Sequence, residues 1–318
     1  MAIQTKLGKA FEFACLQSLY YQLSNHQSVI IEETSALANA RNSYNYDADV
    51  LMNRKMNEGA DAATRLIFRL EPQLEHPLTN VPLYLSIQED ARGIAGDVRD
   101  VICIRRQNQW EVGLSCKHNH AAVKHSRLSS TIDFGEQWFG IPCSEQYFGT
   151  INPLFDELRD MRENGQLWRD IYNKERRFYI PLLQAFMEEL RRLDTMSPGI
   201  IPERLLQYLL GRNDFYKIIT HDRRRVTQVQ SFNIYGSLNR NAGNVRSLMN
   251  APQLTMPTRF YNIDFKPRSG NTILVACDNG WTISMRIHSA RTLVEPSLKF
   301  DVGLTGVPPT LTTQFEPW

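Results

Sequence analysis

Apolar positions in the first part of the chain recur at helical spacing and then change to strand spacing. Residues 6–23 carry apolar side chains every three or four positions, and the same spacing covers 59–71, where Pro72 marks the end. Three short segments that follow are apolar or alternating, as β-strands are: 82–88, 98–105 and 110–117. A polar RQNQ turn joins the last two segments and predicts an antiparallel hairpin.

The remainder of the chain is predicted to be helical and then rich in strands. Helical spacing covers 120–131 and most of 153–212. Helix breaks are expected at the prolines Pro142, Pro153, Pro181, Pro198 and Pro202. From about residue 220 onward β-branched and aromatic residues, Asn, Gly and Pro become frequent. The tripeptide Asp278-Asn279-Gly280 stands between two alternating runs and predicts a tight hairpin.

Composition and charge are those of a folded protein. The 318 residues carry 36 Lys+Arg against 34 Asp+Glu, and the net charge of +2 excludes an acidic tail protein and a histone-like basic wrapper. No apolar stretch approaches the ~20 residues of a membrane helix, and the opening MAIQTKLGKAFEF lacks the apolar core of a signal peptide. The five cysteines have neither disulfide nor zinc spacing. We expect a cytoplasmic protein whose cysteines are small buried residues.

The hairpin has a register that follows from its turn. If the turn is at 107–108, Asp100 lies opposite Ser115. Alternate residues of 110–117 then form a core face, and Lys117 joins Ser115 and Asp100 on the polar face.

An aspartate near the start of one strand and a lysine at the end of its antiparallel neighbour form the layout of metal-dependent nucleases with the motif PD-(D/E)xK. Carboxylate oxygens bind Mg²⁺, the metal polarises a phosphodiester and lowers the pKa of a bound water, and the lysine orients that water. Asp100 and Lys117 have this spacing. Ser115 stands where the usual acid would be, and no proline precedes Asp97 or Asp100. The alternative is that Asp100 caps a strand and Lys117 is solvated.

The missing carboxylate would come from another segment. Glu111 is four residues from Ser115, or ~13 Å at the rise of a strand, which is too far to share one ion. Glu12 lies on an apolar helical stripe, where a carboxylate is costly unless it has a partner such as a metal. We therefore favour Glu12 as the further ligand. The other options are Asp97, Asp133 and Glu136.

Four segments carry a resemblance to a known family: GKAFEFACL (8–16), GDVRDVICIR (96–105), WEVGLSCKHNHAAVKHSRLSSTIDFGEQW (110–138) and RIHSARTLVEPSLKFDV (286–302). They are similar to segments of the type II restriction endonucleases of the HaeIII and NgoPII kind, which are assigned to the PD-(D/E)xK superfamily. Because the segments are spread over nearly the whole chain, we expect a full-length member.

The resemblance implies an α/β (α+β) fold, with a PD-(D/E)xK-like nuclease core of a mixed sheet flanked by helices and a C-terminal β-rich region. Residues 1–150 would be the nuclease core with its catalytic hairpin 98–117, 151–219 a helical region, and 220–318 the DNA-recognition region.

The resemblance also implies site residues, a cofactor and partners. Asp100 and Lys117 would be the catalytic pair, with Ser115 beside them. Mg²⁺ would be the cofactor, with Asp100 as a ligand; Glu12 and Asp97, considered above from their positions, are the further candidate ligands. The recognised site would be the palindrome GGCC in double-stranded DNA, and a palindrome suggests a homodimer. A cognate DNA methyltransferase of the same bacterial cell would be the functional partner.

Candidate DNA-contacting residues share a cationic or imidazole side chain: His120, Lys124, Arg127, Arg240, Arg286 and His288. The first three fall on one face of the expected helix 120–131, where they could track phosphates. The last two end the polar face of the expected strand 281–288, where an arginine can bridge guanine O6 and N7. The arginines at 223–225 add further donors. A solvated helix face and a half-exposed sheet are the alternative interpretations.

The sequence therefore predicts a Mg²⁺-dependent type II restriction endonuclease. Ser115 in place of the acid motivates an alternative, a non-catalytic sequence-specific DNA-binding protein on a degenerate nuclease core. A metabolic enzyme with a nucleotide pocket gains no support, because the chain has neither a Walker-type loop nor a Rossmann glycine fingerprint.

Overall fold

The computed structural model describes residues 3–77, 80–89, 96–120, 122–124, 126–240 and 245–318. The helices are α1 (Ile3–Leu23), α2 (Ser35–Tyr46), α3 (Val50–Leu70), α4 (Phe134–Phe139), α5 (Glu145–Glu163), α6 (Ile180–Met196) and α7 (Ile201–Leu210). The strands are β1 (Val29–Ile31), β2 (Leu83–Ile87), β3 (Val101–Arg105), β4 (Trp110–His118), β5 (Arg127–Leu128), β6 (Phe215–His221), β7 (Val226–Phe232), β8 (Phe260–Phe265), β9 (Thr272–Cys277), β10 (Thr282–His288), β11 (Leu298–Gly306) and β12 (Thr313–Pro317).

The chain forms two compact units, each assembled from separate segments. The first unit comprises Met1–Ala121, Gly211–Thr255 and Pro309–Trp318, and the second unit comprises Ala122–Leu210 and Met256–Pro308. The regions expected from the sequence, 1–150, 151–219 and 220–318, are continuous stretches, and their functional assignments stay predictions.

The first unit is built on a mixed sheet with helices packed on it. Its described strands join in the order β1-β2-β3-β4-β6-β7-β12. β1 pairs in parallel with β2, β4 pairs in parallel with β6, and the other neighbours are antiparallel. Apolar side chains of α1, α3 and the sheet share one buried cluster that includes Phe11, Leu66, Leu85, Val112 and Ile218. This arrangement confirms the predicted mixed sheet flanked by helices.

Both helices predicted in the first unit are present. The stretch 6–23 lies within α1, and 59–71 corresponds to the second half of α3. α3 begins earlier than its apolar spacing indicated, because Asp49 caps it: the Asp49 carboxylate accepts from Met52 N at 2.7 Å and satisfies an amide that the first helical turn leaves unpaired.

The predicted hairpin register is confirmed. Val101 pairs with Leu114 and Cys103 pairs with Val112, as a turn at 107–108 requires. The turn is a single 3₁₀ turn followed by Gln109 in the left-handed region at φ 50°. β4 is a central strand, with β3 on one side and β6 on the other.

The second unit contains α4 to α7 and a second sheet. Its described strands join in the order β5-β11-β10-β9-β8. The β9–β10 hairpin is the one that Asp278-Asn279-Gly280 predicted, and Asn279 and Gly280 adopt the positive φ values, 54° and 86°, that such a turn needs. The predicted alternation of 281–288 is also confirmed, since Trp281 and Ile283 are fully buried.

The predicted helix 120–131 is wrong. Arg127 and Leu128 form the short strand β5 against Lys299 and Leu298 of β11, and Lys124 makes an isolated bridge to Val302. Strand pairing with β11 supplies the backbone hydrogen bonds that a helix would have made within itself. The serine, threonine and histidine residues of this segment have weak helix propensity, so little helical stability is lost when the segment pairs as a strand. Ala121 and His125 lie outside the described residues.

Pro153 does not break a helix, as its presence had suggested, but lies inside α5. Proline has no backbone N–H to donate to the carbonyl of Gly149, the residue one turn earlier, so the helix lacks one hydrogen bond there. The buried stripe of Ile151, Phe155 and Leu158 holds the helix together across this position. Packing of the apolar face thus outweighs the local cost.

Cys15, Cys103, Cys116 and Cys277 are buried, as expected, whereas Cys143 is only partly buried. Within the described residues, no helix combines the length and the apolar content that crossing a bilayer requires.

Candidate active site

Asp100 and Lys117 meet at the open end of the β3–β4 hairpin. Lys117 Nζ donates to Asp100 Oδ2 at 3.0 Å, and the same oxygen accepts from Cys116 N at 2.7 Å and from Ser115 Oγ at 3.3 Å. Burial lowers the pKa of Lys117, but the charge and hydrogen bond of Asp100 more than compensate and hold that pKa above its ordinary value. Within the described residues, Asp100 Oδ1 accepts no hydrogen bond, so this oxygen is available to a ligand.

Glu12 of α1 is the second carboxylate of the site. It is 6% exposed, and Lys9 Nζ donates to its Oε2 at 3.1 Å. Burial and the negative charge of Asp100 raise the pKa of Glu12 to about 8, whereas Lys9 and Lys117 lower it. Both Asp100 and Lys117 thus contribute to the electrostatics of Glu12, and its role as a metal ligand stays a prediction.

These residues fit a hard divalent cation. Glu12 and Asp100 repel one another when both are ionised, and a divalent cation between carboxylates removes that repulsion. Mg²⁺ commonly uses one or two protein carboxylates and completes its shell with water and substrate phosphate. Within the described part of the chain no cluster of three or more His, Cys, Asp or Glu side chains is arranged for a metal.

Asp97 and Glu111 are engaged by one arginine instead. Arg99 donates to both oxygens of Asp97 at 2.8 Å and to Glu111 Oε1 at 2.7 Å. Arg99 lies directly over Gly113, where an added Cβ would meet Arg99 Cδ at 2.0 Å. The Arg99 guanidinium lowers the pKa of Asp97 against the opposing effect of burial. The structure therefore gives Asp97 a structural salt bridge and supports Glu12 as the carboxylate near Asp100.

The two remaining acidic options belong to the second unit. Asp133 caps α4, accepting from Glu136 N at 2.9 Å and from Cys143 N at 3.0 Å. These backbone bonds lower the pKa of Asp133 against the effect of burial. Glu136 is exposed in the first turn of α4.

Lys217 is a residue of this site that sequence reasoning missed. It lies on β6 directly beside Ser115 of β4, and it is 3% exposed. Burial, reinforced by the positive charge of Lys117, lowers the pKa of Lys217 to about 7, while Asp100 opposes this shift. A lysine inside the apolar run FYKIITH was the available signal.

A second missed contact lies just beyond Lys117. His118 Nε2 is 3.1 Å from Asp222 Oδ2, and Asp222 N donates to Asn119 Oδ1 at 3.0 Å. Asp222 follows β6, so this contact joins the ends of two parallel strands.

The candidate DNA-contacting residues of the second unit all have partners within that unit. Lys124 Nζ donates to Tyr208 O at 2.9 Å and lies 3.7 Å from the centre of its ring. Arg127 donates to Ser297 Oγ at 2.7 Å, Arg286 donates to Asp301 Oδ2 at 2.9 Å, and His288 Nδ1 is 2.8 Å from Ser289 O. Arg286 nevertheless keeps 54% of its side chain exposed.

The remaining two candidates belong to the first unit. His120 is partly exposed just after β4. Arg240 is exposed and lines a cavity of about 270 Å³ together with Arg99, Trp110 and Arg212.

Residues 8–308 match the family model of the HaeIII restriction endonuclease. The chain is 42% identical to the type II restriction enzyme HaeIII of Haemophilus aegyptius over 311 residues, which cover 98% of the chain and 97% of that enzyme. No solved structure matches the chain. Because the match is nearly full-length on both sides and includes the hairpin that brings Asp100 to Lys117, this chain belongs to the HaeIII restriction endonuclease family.

Proposed function

We propose that this type II restriction endonuclease hydrolyses phosphodiester bonds of double-stranded DNA at a Mg²⁺ site formed by Asp100 and Glu12, with Lys117 and Ser115 beside it. The observation that carries the proposal is the contact of Lys117 Nζ with Asp100 Oδ2 at 3.0 Å, at the end of a strand whose polar face also holds Ser115. Type II restriction endonucleases generally need a divalent metal ion, and the oxygen ligands here favour Mg²⁺.

Each residue has a distinct task in this proposal. Mg²⁺, when bound, would supply the charge that polarises the phosphodiester and acidifies a water. Asp100 is oriented by Cys116 N and Ser115 Oγ, which bond to Oδ2 and leave Oδ1 available. The Lys117 ammonium has donors beyond the one that Asp100 takes, and these can hold the attacking water or a phosphate oxygen.

Ser115 stands where the motif usually has an acid, and it still places a polar side chain there. A serine hydroxyl can donate to Asp100 or accept from a water, but it carries no charge. Glu12 supplies the second carboxyl group from α1, which the hairpin lacks, and a bound divalent cation would favour its ionised form. This distribution supports catalysis over the alternative of a non-catalytic DNA-binding protein, for which a buried carboxylate close to Asp100 has no use.

The substrate and partners follow from family membership and stay proposals. The recognised palindrome is GGCC, and a homodimer would read its two halves by symmetry. A cognate methyltransferase in the bacterial cytoplasm would protect the host DNA.

One digestion experiment tests the proposal. Purified protein is incubated with a sequenced plasmid in Mg²⁺ and in EDTA, and the fragment ends are mapped. We expect discrete fragments in Mg²⁺ alone, with every end inside GGCC. Specific binding to DNA without cleavage at any Mg²⁺ concentration would support the non-catalytic alternative, and ends at another sequence would overturn the GGCC assignment alone.

A further inference from the structure

The turn between β6 and β7 lies at the same edge of the sheet as the end of the catalytic strand. β4 and β6 run in parallel, and Lys117 pairs with Ile219. The turn begins at Asp222, three residues beyond Ile219, which is about 10 Å at the rise of a strand. Consecutive phosphates of one DNA strand are about 3.4 Å apart along the helix axis, so the turn lies within about three phosphates of the active site.

The turn is fixed to the catalytic strand. Both carboxylate oxygens of Asp222 lie within hydrogen-bond distance of His118 Nε2, at 3.2 and 3.1 Å, and Asp222 N donates to Asn119 Oδ1. Despite the effect of burial, His118 and Asn119 lower the pKa of Asp222, so the anion is the stable form. Asp222, the acidic residue next to the arginines of the turn, is therefore bound to His118 and Asn119.

The three arginines that follow Asp222 differ in their partners. Arg225 donates to Glu58 Oε2 at 2.9 Å and to Trp318 O at 2.8 Å. Arg223 and Arg224 are exposed, and no side chain or backbone oxygen among the residues that the structure describes accepts from either guanidinium. Among the described residues, Arg223 and Arg224 thus have no hydrogen-bond acceptor, whereas the neighbouring Arg225 is bound to Glu58 and Trp318.

We propose that Arg223 and Arg224 clamp one or two backbone phosphates of the DNA strand next to the scissile bond, and that Arg225 does not. The proposal rests on the proposed function, since it takes the phosphodiester backbone of DNA as the ligand. Guanidinium groups match phosphate geometry and can bond it bidentately. Asp222 contacts His118, the residue next to Lys117. Binding of a phosphate by the turn would therefore also position the strand that carries Lys117. Because phosphates are the same in every sequence, the clamp contributes affinity and register but no base specificity.

Matched charge removals in the same turn test the clamp. Arg223→Gln, Arg224→Gln and Arg225→Gln each remove one positive charge, and only the first two remove an unpaired one. DNA binding is measured in EDTA over a salt series, on a GGCC duplex and on a duplex without the site. We expect Arg223→Gln and Arg224→Gln each to reduce the slope of log K against log salt on both duplexes, by about 0.9 if each arginine neutralises its own phosphate and by less if they share one. Arg225→Gln should leave the slope unchanged.

Neutral phosphates locate the contact. Single methylphosphonates are placed along the strand within four positions of the cleaved bond. For the wild-type protein, one or two of these should weaken binding, and the Arg223→Gln/Arg224→Gln double variant should be insensitive to the same ones. Equal slope changes in all three single variants, or a double variant as sensitive as the wild type, would overturn the clamp. A wild-type protein that neither binds nor cleaves DNA would instead contradict the proposed function itself.

Discussion

Lys117 Nζ lies 3.0 Å from Asp100 Oδ2, across two strands whose register is fixed by a turn several residues away. The Lys117 ammonium and the Asp100 carboxylate, whose side chains are each about one-fifth exposed, are therefore held together at the open end of the hairpin. This arrangement leads to the following predictions.

Asp100→Ala and Lys117→Ala should each reduce cleavage by about 100-fold or more, because each removes a charged group placed to act on the reacting phosphate or water. Gel assays of plasmid cleavage in Mg²⁺ measure the loss, and circular dichroism checks the fold. Lys117→Ala should retain part of its DNA affinity, since contacts elsewhere supply it. Cleavage at the wild-type rate by either folded variant would remove this site.

Glu12→Gln should raise the Mg²⁺ concentration needed for half-maximal cleavage, and Glu111→Gln should not. Glu12 is buried and senses the charge of Asp100. The Glu111 side chain, by contrast, is 42% exposed and is bound to Arg99. Each of these two variants replaces one carboxyl group with an amide, and the two differ in the position of that group. A Mg²⁺ titration of the cleavage rate measures the effect, and a shift confined to Glu111→Gln would mean that Glu111, not Glu12, is the second carboxylate ligand.

Glu71→Gln should flatten the pH dependence of stability between about pH 4.5 and pH 7. Burial raises the pKa of Glu71 from 4.5 to about 7, although hydrogen bonds from Asn239 and Tyr216 oppose the shift. The folded protein therefore holds this proton more tightly than the unfolded chain. The resulting stabilisation is fully present below about pH 4.5 and is lost as the pH rises through about 7.

Thermal unfolding across this pH range measures that contribution. Glutamine keeps an oxygen for both donors but cannot ionise, so the Tm advantage of the wild type over Glu71→Gln should shrink as the pH rises. Glu33→Gln is the control, because the Glu33 side chain is 67% exposed. A constant difference between the wild type and Glu71→Gln at all pH values would contradict the assigned role of the carboxyl.

Arg286→Ala should cost ~1–3 kcal/mol of binding to the cognate duplex and much less on non-specific DNA, if Arg286 reads a guanine. The side chain is about half exposed on β10 and forms an ion pair with Asp301 at 2.9 Å. Binding to both duplexes over a salt series is the measurement. An equal loss on the two DNAs would identify a phosphate contact and end the role of this strand in specificity.

The hairpin could be predicted because its information is local. Strand alternation and a polar turn fix which residues face one another, and the pairing of Val101 with Leu114 follows from them. The burial of Glu12 could be predicted for a related reason, because it lies on an apolar helical stripe. Its role as a metal ligand stays a prediction.

The failures arise where distant segments meet. Nothing within 120–131 indicates that β11 will pair with it, and local spacing alone therefore favoured a helix. Lys217 is separated from Ser115 by the whole first segment of the second unit, so its place beside the site depends on strand order rather than on any motif. The difference between Arg224 and Arg225 depends on Glu58 and Trp318, which the tripeptide itself cannot reveal.

The parallel pairing of β4 with β6 has a consequence for synthesis of the protein. Leu114 meets Tyr216 only after the ribosome has made the entire segment between them, and closing so long a loop is slow. Until then β4 is an edge strand, with free backbone groups on the side that β6 will cover. A nascent chain halted before β6 carries Glu12, Asp100 and Lys117 and yet lacks the strand that pairs with β4 at Lys117.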